Sequence, residues 1–311
     1  MPLCAFDIAP DRTATPVHDT APTGDSGYRW LHFDLSDPDL ADWAAAHIPE
    51  LPAAALLQSQ TRPRCDRQDG GLVLNLRGVN LNRDGPADQM VAVRLWVTEK
   101  TIVSVRVRKV FALDDLRKAC ENGTAPASSG EFIQVLSDAL TRRVQDVVFD
   151  LAERVEQIEE AQSDNVVTLP PDMGELRRQA IRLRRYLGPQ KEALLRLSDA
   201  ILALNGDSAA QREVANQTIL HVEELDALNG RLGALQDQHD SQTSAAHGRN
   251  SYVLSIVAAV FLPLGFLTGV FGVNVGGMPG VDSPMAFTVL CLGMAALGVA
   301  LMAALRWLRW I

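Results

Sequence analysis

Four polar side chains near the C-terminal end of this 311-residue chain have the chemistry to handle a cation. Asp237, His239 and Asp240 lie in QDQHDSQTSAAHGRN (236–250), and Asn274 lies in FGVNVGGMPG (271–280). Carboxylates and an imidazole can bind a metal directly, whereas an amide oxygen, together with backbone carbonyls such as those of Gly272 and Val273, can hydrogen-bond or replace the water around an entering ion. Gly272, Gly276 and Gly277 permit the tight backbone that such a carbonyl cluster needs. Repeated around an axis, Asp237 and Asp240 would form acidic rings; in a single chain they read equally well as a solvated helix face. Gly-Val-Asn is common as a tripeptide, so its meaning depends on where the chain places it.

Its place is set by charge. Of 29 basic and 38 acidic side chains, only Asp282, Arg306 and Arg309 follow Asn250, and the runs 250–281 and 283–305 carry no charge at all. About 20 apolar residues in a helix cross a hydrocarbon core about 30 Å thick, so each run is long enough to span a bilayer. Asn274 then falls at the outer end of the first span. The opening MPLCAFDIAPDRTATP has neither a basic start nor an apolar stretch, and is expected to stay in the cytoplasm. Arg249 before the first span and Arg306 and Arg309 after the second place both termini on the cytoplasmic side of the membrane. The first 250 residues hold 27 basic and 37 acidic groups, a balance that speaks against nucleic acid as a partner. Cys4, Cys65, Cys120 and Cys291 are scattered without metal-knuckle spacing and read as reduced structural thiols.

The elements that must position these groups follow from hydrophobic period. Residues 1–27, rich in Pro, Thr, Asp and Gly, read as a mobile arm. Strand-like runs at 28–36, 71–79, 90–98 and 101–108, with helices at 37–47 and 113–120, make a cytoplasmic α/β domain over 28–125. Past the GTAPASSG linker the period becomes helical, giving a pair of long helices over 131–206, broken at LPPD (169–172) and with a kink expected at Leu187, Gly188 and Pro189. A stalk helix then runs over 207–272, entering the membrane at about 250; it is followed by a short outer loop (273–283), a second span (284–305) and a basic tail (306–311). The fold class is thus an α+β cytoplasmic domain followed by long α-helices and two C-terminal transmembrane helices.

Leu225, Leu228, Leu232 and Leu235 alternate by three and four, a coiled-coil seam. A helix of about sixty residues is roughly 90 Å long and cannot bury its own stripe, so the seam calls for neighbours, most economically copies of the same chain. Within the span, the same steps select Ser251, Ser255, Ala258, Leu262, Gly265 and Gly269, mostly small or polar, and leave the bulky residues on other faces. Two readings fit. A small-residue face lets membrane helices pack closely, or it lines a pore that bulky side chains would obstruct.

Two terminal spans, a long helix feeding the first, the run FLPLGFLTGVFGVN (261–274) and the basic tail together resemble the CorA superfamily of divalent metal ion transporters, whose signature is Gly-x-Asn between the spans. Magnesium members usually continue with Met-Pro-Glu-Leu; here VGGMPG follows, which looks like the zinc-associated ZntB branch, as do RLWVTEKTIVSVRVRKV (94–110) and RRYLGPQKEALLRL (184–197). The resemblance implies a funnel-shaped homopentamer with a pore lined by the first span. It implies the signature role for Asn274, pore constriction at Leu262 and Gly265, and an intersubunit metal-site acid at Asp237. No prosthetic group is implied, since the divalent cation is cargo. Zinc favours Cys and His ligands, yet the spans contain no His and only Cys291, so the pore residues do not themselves specify the metal. His221, His239 and His247 on the stalk read as surface residues or as cytoplasmic zinc contacts.

Other classes fit less. The chain has no P-loop, no G-x-G-x-x-G after a strand, no H-E-x-x-H and no G-x-S-x-G, so catalysis is not expected. A magnesium, cobalt or nickel channel of the CorA type remains open as an alternative. So does a non-conducting membrane-anchored scaffold, although it gives no reason for Gly265, Gly269 or the Gly-Val-Asn end. Uptake coupled to protons and efflux both fit, because no Asp, Glu, His, Lys or Arg within the first span identifies a proton path.

Overall fold

The computed structural model describes residues 1–22, 27–83, 85–163, 171–272 and 283–308, and divides into two compact units, Met1–Gln236 and Asp237–Ile311. In the first unit the strands are β1 (Cys4–Ile8), β2 (Ala14–Pro16), β3 (Tyr28–Asp34), β4 (Arg64–Gln68), β5 (Gly71–Gly78), β6 (Val91–Val97) and β7 (Thr101–Arg106). They form one sheet in the order β2-β1-β3-β7-β6-β5-β4, antiparallel throughout except for the β3–β7 pair. The first 27 residues, expected as a mobile arm, instead supply two strands of this sheet. Phe6 and Ile8 alternate with polar Asp7 and are buried, and Asp7 binds Arg29 on β3 through both carboxylate oxygens, at 2.5 and 2.7 Å. Five residues are enough to make a strand when a neighbour provides the pairing, and local composition does not reveal that neighbour.

Side chains alternate across the sheet. One face, with Trp30, Leu74, Leu76, Val93 and Leu95, packs on α3 (Phe111–Glu121), α4 (Ser129–Ser163) and α5 (Met173–Ala200). The other, with Leu31, Phe33, Val73 and Val103, packs on α1 (Leu40–His47) and α2 (Glu50–Leu57). A 3₁₀ turn (Ile201–Leu204) and Asn205, whose φ of 57° is left-handed, reverse the chain into α6 (Ser208–Gly272). At that reversal a Cβ on Gly130 would lie 2.4 Å from the Gly206 nitrogen, so two glycines let the start of α4 touch the turn backbone. The helix α5 remains helical through Pro189.

The leucine seam finds its partners inside the chain. Leu225, Leu228 and Leu232 are fully buried, in one cluster with Val144, Val148, Leu151 and Val155 of α4 and Leu176, Ala180 and Leu183 of α5. The sequence reading assigned this burial to copies of the chain; the α4–α5 pair supplies it instead, because three antiparallel helices with apolar stripes of matching length close a core among themselves. Arg231 on α6 forks onto Glu159 of α4, with Nε at 2.8 Å, and closes the same bundle at its rim.

The second unit contains the remainder of α6 and α7 (Ala286–Trp307). Both helices carry an 18-residue window of mean hydropathy 2.3, and the two windows are 0% and 6% buried. A core helix of a soluble protein would be mostly covered, so these surfaces ask for hydrocarbon as their solvent.

Candidate functional site

On a helix, residues three and four apart share a face. Within the second unit, Asp237, Ser241, Ser244, Gly248, Ser251, Ser255, Ala258, Leu262, Gly265, Gly269 and Gly272 follow alternating steps of four and three along α6. Between the acid at one end and Gly272 at the other, every one is Ser, Gly or Ala except Leu262, which is 70% exposed. Ala258 is half-buried and the others are exposed. A Cβ built on Gly248, Gly265, Gly269 or Gly272 would meet no atom within 4 Å, so the stripe is open along its length.

The partner helix uses another face. Ile256, Val260, Pro263, Leu264 and Leu267 on α6 are half-buried, as are Leu290, Met294, Leu297, Gly298 and Leu301 on α7, and Leu264 Cδ1 lies 4.0 Å from the Cβ position of Gly298. Hence the pairing of α6 with α7 does not account for the small residues of the stripe. Two hydroxyls on α6 turn back to their own helix, Ser255 Oγ donating to Ser251 O at 2.9 Å and Thr268 Oγ1 to Gly265 O at 2.9 Å. That satisfies both groups without a polar partner from elsewhere, a common device in apolar surroundings.

The acids lie at the other end of the stripe. Asp237 is on it and Asp240 flanks it, with the Asp240 side chain 63% exposed. His239, two residues from Asp237, lies about 200° around the helix from it, and its Nδ1 sits 3.4 Å from Asp240 Oδ1. These three side chains therefore do not converge within one chain, and among the described residues no group of three His, Cys, Asp or Glu side chains is gathered as a metal site. His221, higher on α6, is half-buried beside Val148 and Phe149, and burial holds its pKa below the usual histidine value. Gly272 is the last residue of α6; Val273 and Asn274 lie outside the described residues.

A feature that period reading missed lies in the first unit. Asn75 and Arg77 on β5 and Arg94 on β6 occupy the sheet face that Val73 and Trp96 fill with apolar groups, and Arg94 is 1% exposed. The signal was present as a break in the apolar alternation of LVLNLR and VAVRLWV, two strands paired with each other.

Known proteins resemble this chain over nearly all its length. The family described as CorA-like Mg2+ transporter protein matches residues 25–307. The zinc transport protein ZntB of Yersinia enterocolitica serotype O:8 / biotype 1B is 33% identical over 308 residues, covering 98% of this chain and 91% of that protein. The structure of the full-length CmaX protein superposes with a TM-score of 0.83 at 29% identity, over 99% of this chain and 98% of that one. The complete structure of the CorA magnesium transporter from Methanocaldococcus jannaschii gives a TM-score of 0.71 at 15% identity, over 99% and 98%, which is a likeness of fold.

Proposed function

Since the chain belongs to the CorA-like family of metal transporters, we propose that it carries divalent cations across a membrane, zinc foremost, along a path lined by the small-residue stripe of α6. The observation that carries this reading is the open stripe from Asp237 to Gly272, lying apart from the face that packs on α7. Copies arranged about an axis, five in the homopentamer the family resemblance implies, turn one stripe into a channel wall. Ser251, Ser255, Ala258, Gly265 and Gly269 leave width for an ion that keeps much of its water. Leu262, the one bulky member, narrows the path with an apolar ring that closes by dewetting. Asp237 and Asp240 form carboxylate rings at the cytoplasmic mouth, where summed negative charge raises the local cation concentration. Gly272, Val273 and Asn274 offer carbonyl and amide oxygens at the outer end.

Zinc rather than magnesium is supported by the relatives named as zinc transport proteins and by the VGGMPG continuation. The wall offers hydroxyls and backbone oxygens rather than thiolates or imidazoles, so selection rests on the hydrated ion and not on soft ligands. The lipid face comprises Val253, Leu254, Phe261, Phe266 and Val270 on α6, with both termini cytoplasmic in a bacterial inner membrane. Where protons are coupled, Asp237 and water are their carriers, because the stripe between Ser241 and Gly272 has no titratable side chain.

Zinc flux into proteoliposomes, with magnesium as competitor, tests the reading. Flux that persists in excess magnesium and falls at least tenfold in Asn274→Ala, with the oligomer intact, is expected. An assembled protein that passes no divalent ion would leave a membrane-anchored scaffold; flux suppressed equally by magnesium would leave a general divalent channel.

A further inference from the structure

A cavity of about 820 Å3 opens in the first unit, where β4 has ended and β5 and β6 continue. Six arginines line it, Arg62, Arg77, Arg94, Arg108, Arg182 and Arg185, against one described carboxylate, Asp88. Such a concentration of positive charge in a chain of formal net charge −9 needs a reason. Asp88 offsets only Arg182, which engages it and also reaches Glu175 at 2.6 Å, so the charge of the other five arginines is not met by Asp88.

The two innermost guanidiniums have backbone carbonyls for partners. Arg94 Nε donates to Gln58 O at 2.9 Å and its Nη2 to Ser59 O at 3.1 Å; Arg77 Nη1 donates to Met90 O at 2.9 Å and its Nη2 to Thr61 O at 2.7 Å. Those bonds hold both forks at the cavity and leave donors over. Arg94 Nη1, Arg77 Nε and Thr61 Oγ1 are buried with no hydrogen-bond partner among the described residues, and Arg94 as a residue is 1% exposed. Burying an arginine without a carboxylate is costly, and a protein that does so at Arg94, with the half-buried Arg77 beside it, is built to receive an anion. Burial, and then the neighbouring charge of Arg77, lowers the pKa of Arg94 below its ordinary value, as expected where a counter-charge is lacking. Tyr186 completes the wall: the Arg77 guanidinium sits 4.2 Å above its ring, a stacking that fixes the fork's plane.

We propose that this cavity binds a small phosphate-bearing anion of nucleotide size, its phosphates held by Arg77, Arg94 and Thr61 and its outer charge met by Arg62 and Arg185. Guanidinium forks match phosphate oxygens two at a time, which favours phosphate over chloride or a lone carboxylate. The volume falls within the range of about 300–1,000 Å3 typical of small-molecule sites. Met90, Val91 and Ala92 add an apolar side against which a ring can rest. The site is independent of the ion path and stands whichever metal, if any, that path carries.

The test is calorimetric titration of the full chain in detergent, at fixed ionic strength and with chelator present, using ATP, pyrophosphate and inorganic phosphate as probes. ATP and pyrophosphate are expected to bind with micromolar affinity and to raise the melting temperature, inorganic phosphate at least tenfold more weakly. Arg185→Glu, at an exposed position that leaves the buried forks in place, should weaken ATP binding at least tenfold. Arg142→Glu, the same charge change on α4 outside the cavity, should not. Binding that is absent at millimolar ATP in a cooperatively melting protein overturns the proposal. So does binding that both substitutions weaken alike, which would reduce it to general attraction.

Discussion

Gln190 on α5 exchanges two hydrogen bonds with the backbone of Arg77 on β5: the Arg77 N–H donates to Gln190 Oε1 at 2.7 Å, and Gln190 Nε2 donates to Arg77 O at 3.0 Å. The reason lies one strand away. The β4–β5 ladder ends with Arg64 opposite Asn75, so Arg77 would face that side with an unpaired donor and acceptor, and a side-chain amide carries the complementary pair. Gln190 is 1% exposed, so no water takes its place.

Gln190→Ala should therefore cost about 2–4 kcal/mol, since two buried backbone groups lose their partners. Gln190→Glu keeps the acceptor for the N–H but not the donor for the carbonyl, and should also be destabilised. Urea midpoints of the three proteins check this; a shift below about 0.5 kcal/mol for Gln190→Ala would mean that the strand edge finds other partners.

Stability should also fall in acid through His32. Its Nδ1 sits 2.9 Å from Ser104 Oγ, its Nε2 is buried without a partner among the described residues, and burial, then the Arg106 charge, push its pKa down to about 4. A folded pKa below the unfolded value of about 6.5 favours the neutral ring, so this contribution is present above pH 6.5 and is lost as pH falls through 4. The shift corresponds to about 3 kcal/mol at one unit per 1.4 kcal/mol. Unfolding free energies of the wild type and His32→Gln across pH 7 to 4 should converge on acidification, and parallel curves would exclude His32 as the source.

The internal burial of the leucine seam has a consequence for concentration dependence. Leu228→Ala leaves a cavity among α4, α5 and α6 and should cost about 3–5 kcal/mol. Because the partners are in the same chain, the loss should be equal at low and high protein concentration. A loss that disappears at high concentration would place the seam between chains.

The stripe in the membrane span makes a different demand. A side chain at Gly265 meets nothing within 4 Å in a single chain, so Gly265→Val should leave folding and melting unchanged. If the stripe faces the ion path, zinc flux should drop at least tenfold with the oligomer retained. Dissociation of the oligomer would assign the small residues to helix packing instead, and unchanged flux would remove Gly265 from the path.

Period and charge alone determined the two-solvent layout of this protein. A run of 32 residues without charge cannot be placed in water without a cover, whatever surrounds it, so two apolar helices within the uncharged runs 250–281 and 283–305, and the helix leading into the first, were legible as local properties. The strands over 28–36, 71–79 and 90–108 were legible because alternation is also local. Tertiary structure decided what local pattern cannot hold. It drew the opening residues into the sheet, because β1 is held by pairing with β3, a strand that local pattern does not reveal as its neighbour, and in turn pairs with β2. It turned the Leu225–Leu235 seam inward, because a stripe records that it needs cover and not whose cover it receives. It gathered six arginines from five places in the sequence around one cavity, since charges far apart in a chain become one field only when the fold brings them together.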